Sequence, residues 1–71
     1  MNSEQPGILV NGKPTELAPG TPLGELLERL GVAGPGTAVE VDGRIVPAAD
    51  YGQVKLQPGQ RVEIVRLVGG G

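Results

Sequence analysis

Thr21-Pro22-Leu23-Gly24-Glu25-Leu26-Leu27-Glu28-Arg29-Leu30-Gly31 is the stretch whose reading decides the fold, because its apolar residues recur with a helical period. Leu23, Leu26, Leu27 and Leu30 stand at i, i+3, i+4 and i+7, which gathers them on one face of a helix. Thr21 supplies a hydroxyl for the N-cap, and Pro22 suits the first helical position. Glu25, Glu28 and Arg29 fall on the solvated side, with Glu25 and Arg29 at the i,i+4 spacing of a helical ion pair. Gly31 is the stop, since glycine readily takes the left-handed conformation that ends a helix. Gly24 weakens the helix by about 1 kcal/mol relative to alanine.

On either side of this helix the pattern changes to strands. Ile8-Leu9-Val10 runs into Asn11-Gly12, the strongest two-residue hairpin signal, and Lys13 to Leu17 reads as the returning strand. Pro14 lacks an N–H for a ladder and points to an edge position. After the loop Ala33-Gly34-Pro35-Gly36, Val39-Glu40-Val41 alternates as a half-buried strand. It turns at Asp42-Gly43 and returns through Arg44-Ile45-Val46. Pro47 to Gln53 is irregular, with room for a short helical turn, Asp50 as its cap and Tyr51 as its anchor. Val54 to Leu56 is a brief strand, Pro58-Gly59 a turn, and Arg61 to Val68 the last strand. One amphipathic helix between two hairpins needs one apolar sheet face to pack on. The expected fold is therefore α+β, a β-grasp with a mixed sheet of four to five strands on one main helix. Residues 1–7 read as a flexible leader, 8–68 as the domain and 69–71 as a flexible glycine tail.

Composition narrows the function classes. A chain of 71 residues is one small domain. It has no Cys and no His, which removes disulfides and ordinary zinc sites and leaves no need for an oxidising compartment. Met1 to Gly7 lack the basic and apolar regions of a signal peptide, and no apolar stretch approaches the ~20 residues that span a bilayer. The expectation is a cytoplasmic protein with no membrane association. Net charge is −2 with both signs interspersed, and Tyr51 is the single aromatic residue, so the basic stripe and stacking platform of a nucleic-acid binder are missing.

Within the last strand, period-2 alternation separates Val62 and Ile64 from Glu63, Val65 and Leu67. Arg61 and Glu63 share the second parity, so Val62 and Ile64 face the core while Val65 and Leu67 project outward just before Gly69-Gly70-Gly71. Isolated exposed apolar residues are ordinary on any surface. At the base of a glycine tail they read as a partner-docking patch, with Glu63, Arg66 and Arg61 as polar contacts and Glu40 on the same surface. Glycine has no Cβ, so Gly69 and Gly70 can thread a channel too narrow for other residues and deliver the α-carboxylate of Gly71.

No catalytic site of the chain's own is visible. There is no His or Cys to serve as base or nucleophile, and Ser3 lies in the leader. The acidic residues are scattered, and no close pair is set by sequence for acid–base or metal chemistry. Asn11-Gly12-Lys13 lacks the spacing of a phosphate loop and is a hairpin turn.

Taken together, these segments resemble the ubiquitin-like sulfur carriers of the ThiS/MoaD-like superfamily, and within it the branch serving thiamine biosynthesis. The similarity runs from Ile8 to Gly71. It is carried by Val10-Asn11-Gly12, by TPLGELLERLG (21–31), by VEVDGRIVP (39–47), and by Leu56 to Val65 closing on the terminal glycines. Gln60 departs from the usual Asp after the turn glycine, Tyr51 stands where Trp is common, and the tail has three glycines rather than two. The resemblance implies a non-enzymatic protein co-substrate. A ThiF-like E1-type adenylating enzyme would use ATP and Mg²⁺ to activate the carboxylate of Gly71, or of Gly70 after trimming. A cysteine desulfurase or another donor would supply sulfur for a thiocarboxylate, and a ThiG-like thiazole synthase would consume it. Alternatives stay open at this point. They are a carrier for molybdopterin, cysteine or tRNA thiolation, a ubiquitin-like modifier joined to lysines, or a binding module whose glycines are inert.

Overall fold

In the computed structural model, residues 7–32, 34 and 36–66 are described. The chain opens with a hairpin of β1 (Gly7–Val10) and β2 (Lys13–Glu16), paired antiparallel from Gly7↔Glu16 to Val10↔Lys13. Asn11 and Gly12 take φ of 50° and 83°, the two positive values that a two-residue turn of this twist demands. Next come a two-residue strand β3 (Thr21–Pro22), helix α1 (Leu23–Leu30), and a second hairpin of β4 (Thr37–Val41) and β5 (Arg44–Val46). A 3₁₀ turn over Ala48–Asp50, β6 (Lys55–Leu56) and β7 (Arg61–Arg66) complete the described chain.

The main sheet runs β2-β1-β7-β4-β5, with β7 parallel to β1 and antiparallel to β4, while β3 and β6 form a separate two-stranded piece. This is the β-grasp arrangement, and Pro14 sits on the edge strand as its missing donor requires. The helix covers one sheet face. Ile8, Val10, Val39, Val41 and Val62 from the sheet meet Leu23, Leu26 and Leu27 from α1 in one aliphatic core that Leu17 and Leu56 complete. Each such side chain stabilises the fold by roughly 1.5–3 kcal/mol on burial. Truncating fully buried Leu27 to alanine costs about 2–5 kcal/mol, a large share of the stability of a domain this small.

The helix start differs from the expectation. Pro22 is the cap residue, extended at φ −64° and ψ 143°, and no side chain caps the helix. The Thr21 hydroxyl instead donates backwards to the Ala18 carbonyl at 2.7 Å. The free N–H groups of the first turn go to the 51–54 segment: Leu23 donates to Val54 at 2.8 Å and Gly24 to Tyr51 at 3.0 Å. A tertiary cap thus replaces the local one, and β3–β6 pairing holds it in register. Asp50 likewise caps nothing with its side chain; its carbonyl accepts from Gln53 and Val54.

At the other end, Gly31 takes φ 73°, its N–H reaches Glu28, and Val32 donates to Leu27 at 3.0 Å, as in a Schellman stop. Arg29 and Glu25 pair at 3.0 Å on the solvated side. Leu30, expected in the core, is 43% exposed, because it lies on the last turn beside an open groove rather than over the sheet.

Candidate functional site on the outer sheet face

Among the described residues, the helix covers one face of the sheet and nothing covers the second. In β7, Val62 is fully buried and Ile64 partly buried against the core, whereas Arg61, Glu63 and Val65 are exposed. The register extends this division across the sheet. Ala38 lies opposite Val65, Glu40 opposite Glu63, and Ile45 opposite Glu40. Val65 is 50% and Ile45 71% exposed, so the outer face carries two large apolar side chains flanking a pair of glutamates. An open concavity of about 400 Å³ is lined by Glu40, Asp42, Gly43, Arg61 and Glu63.

The turn at Asp42-Gly43 is fastened to β7 rather than left as a solvated turn. Asp42 Oδ1 accepts from the Arg61 N–H at 2.9 Å, and its Oδ2 accepts from Gln60 Nε2 at 3.2 Å. Gln60 Oε1 in turn accepts from the Gln57 N–H at 2.8 Å. The Asp42 carboxylate is therefore committed, while Glu40 and Glu63 form no ion pair among the described residues.

The face brings Glu63 and Val65 together with Glu40, as the alternation predicts. It does not include Arg66. That residue has the parity of Val62 and Ile64 and lines the groove on the helix side with Asn11, Leu30, Val32 and Ile64. Leu67 and the glycines Gly69, Gly70 and Gly71 lie outside the described residues. Sequence reading overlooked Ile45, although the signal was present. A two-residue turn fixes Val41 against Arg44, which places Ile45 beside Glu40 on the outward parity. Among the described residues no group of three acidic side chains is arranged to hold a metal, and no helix is long and apolar enough to cross a membrane.

The fold is that of a small β-grasp domain, and in sequence its last central strand is followed by terminal glycines. A family model described as the ThiS family matches residues 8–71, and the chain belongs to that family. The crystal structure of the thiamine biosynthesis protein ThiS from Geobacter metallireducens superposes with a TM-score of 0.78 at 31% identity, covering 92% of this chain and 99% of that one. Two curated relatives carry the name thiazole synthase. The protein from Magnetococcus marinus is 41% identical and that from Paramagnetospirillum magneticum 36% identical, each over 64 residues. Those residues are 90% of this chain but only 20% of either relative, so the chain spans about a fifth of their length.

Proposed function

We propose that this chain is a sulfur carrier for the thiazole ring of thiamine, acting in the cytoplasm as a co-substrate rather than an enzyme. The observation that carries the reading is the ThiS-family match, which extends through the glycines to residue 71. A carboxylate is a poor acyl donor because neither oxygen leaves readily. In the proposed cycle an E1-type adenylating enzyme, using ATP and Mg²⁺, lets the Gly71 carboxylate attack the α-phosphorus of ATP, expelling pyrophosphate and forming an acyl-adenylate. A persulfide delivered by a cysteine desulfurase then attacks the acyl carbon and displaces AMP. A thiol cleaves the resulting acyl disulfide, being itself oxidised to a disulfide, and frees the C-terminal thiocarboxylate; a donor of sulfide would give the thiocarboxylate directly. Thiazole synthase takes that sulfur. A segment like this chain forms part of proteins bearing that name, which supports the assignment of the acceptor.

Within this scheme the domain's task is presentation. Gly69 and Gly70 thread the partner active sites, and Val65, Leu67 and Glu63 dock the base of the tail. Arg66, on the other side of β7, would meet a partner that also reaches around the helix-side groove.

Mass spectrometry after incubation with the adenylating enzyme and desulfurase of the same genome, cysteine, ATP and Mg²⁺ tests the reading. The expected product has one terminal oxygen exchanged for sulfur and loses that sulfur when thiazole synthase and its other substrates are added. An unchanged mass, or lysine-linked adducts in place of the thiocarboxylate, would refute it.

A further inference from the structure

Glu40 and Glu63 stand directly opposite each other on the two most extensively paired strands of the sheet, β4 and β7. Side chains so placed have Cβ atoms about 5 Å apart, and like charges there oppose folding. Among the described residues neither is in an ion pair; Arg61, on the same parity of β7, lines the same concavity without closing a salt bridge to either. The one ion pair among the described residues is Glu25–Arg29 on the helix, and neighbouring Asp42 is itself anionic, with both oxygens already accepting hydrogen bonds. Native domains are only marginally stable, yet this one carries that repulsion near the centre of a face that no other described element covers. On one side of the pair the face is apolar, with Ile45 beside Glu40, Val65 two residues beyond Glu63, and Ala38 across from Val65; on the other lie Asp42 and Arg61, so the patch stays net negative.

We infer that this face is a docking surface for a protein that presents an arginine between apolar side chains, the guanidinium seating between Glu40 and Glu63. The inference rests on the sulfur-carrier reading and assigns the arginine to the adenylating enzyme. A guanidinium is planar and donates from several edges, so one group can bond both carboxylates at once. Burying Ile45 and Val65 around it excludes water and strengthens those charge-assisted bonds. Charge also selects the partner class: a negatively charged chain with paired carboxylates on its open face repels phosphate backbones and anionic lipid alike. Two free carboxylates without a third ligand make a poor cage for a hard cation.

The test is titration calorimetry of the full chain against the adenylating enzyme of the same genome, at several salt concentrations, with thiazole synthase as a second arm. Glu40→Gln/Glu63→Gln preserves size and removes the repulsion, so the variant should melt no lower than the wild type. It should bind the adenylating enzyme roughly tenfold or more weakly, with a flatter salt dependence. Glu63→Gln alone should show a smaller loss in the same direction. Equal affinity and equal salt dependence in wild type and double variant overturn the inference, as does a loss confined to thiazole synthase. A melting temperature raised by Mg²⁺ or Ca²⁺ alone in the wild type but not in the variant overturns it in favour of an ion site. Terminal sulfur incorporation separates the two levels. If the wild type gains sulfur but the variant binds equally, only the arginine surface fails; if the wild type neither binds nor gains sulfur, both readings fail.

Discussion

The side chain of Asn11 holds both backbone groups of Ile64. Its Oδ1 accepts from the Ile64 N–H at 2.7 Å, and its Nδ2 donates to the Ile64 carbonyl at 3.4 Å. The Asn11 N–H adds a bond to the Val62 carbonyl at 2.8 Å. The residue that turns the first hairpin thus also extends the β1–β7 ladder beyond Val10, where β1 has ended. Asn11→Gly tolerates the positive φ and removes both side-chain bonds. The variant should lose about 1–2 kcal/mol, a fall in Tm of several degrees, with a selective loss of hydrogen-exchange protection at the Ile64 amide. Asn11→Asp keeps the acceptor and should lose less. Unchanged protection at Ile64 in Asn11→Gly would show that the bond carries no weight.

Gly24 lies in the first turn of α1, where a Cβ would meet the Tyr51 backbone and Cβ at 3.6–3.7 Å, ordinary contact distances. The N–H bond to Tyr51 survives substitution by alanine. Gly24→Ala should therefore stabilise the domain by roughly 0.5–1 kcal/mol through the lower backbone entropy of the unfolded chain. Chemical denaturation measures it; a destabilised variant would mean that the 51–54 segment packs tighter on the helix than these distances indicate.

These two positions also mark what local sequence could and could not convey. Asn11-Gly12 and Asp42-Gly43 were legible as turns because positive φ is a property of the residues themselves. The helix was legible from its period, and the outward parity of Glu63 and Val65 from alternation. Which strands are neighbours was not, because β7 lies between β1 and β4 through contacts distant in sequence. For the same reason the Asn11–Ile64 bonds, 53 residues apart, left no local trace. Thr21 shows the converse error. Its sequence context fits an N-cap, but carbonyls of a segment about 30 residues away satisfy the helix N–H groups first. Arg66, expected as a polar contact of the docking patch, has the parity of Val62 and Ile64, so alternation alone puts it on the helix side of β7.

Gln60 bridges two segments, donating to Asp42 and accepting from the Gln57 N–H. Replacing it with aspartate would set a second carboxylate toward Asp42 and remove the Nε2 donor. Gln60→Asp should lose about 0.5–1 kcal/mol at neutral pH, and part of that loss should disappear at high salt, which screens exposed like charges. Thermal unfolding across a salt series reads both. A loss insensitive to salt would assign the effect to the missing hydrogen bonds alone.

Removing Gly70 and Gly71 separates presentation from folding, because among the described residues every buried core residue lies between Ile8 and Val62. The truncated chain should melt within about 1 °C of the intact one, since changes away from the core are usually small. It should give no acyl-adenylate with the adenylating enzyme and ATP, read as loss of pyrophosphate release. Retained turnover would place the activated group elsewhere.

Val62 and Val65 offer a paired comparison on a single strand. Val62 is fully buried, so Val62→Asp places a charge in an aliphatic core and should unfold the domain. Val65 is 50% exposed on the opposite parity, so Val65→Asp should cost no more than about 1 kcal/mol, the range of strand propensity. If the outer face docks the partner, that variant should nevertheless bind the adenylating enzyme roughly tenfold more weakly, because a carboxylate would then be desolvated beside Glu63. Circular dichroism confirms the fold of Val65→Asp, and calorimetric titration reads the affinity. A folded Val65→Asp variant that binds as tightly as the wild type would remove β7's outer side from the interface, whatever the glycines do.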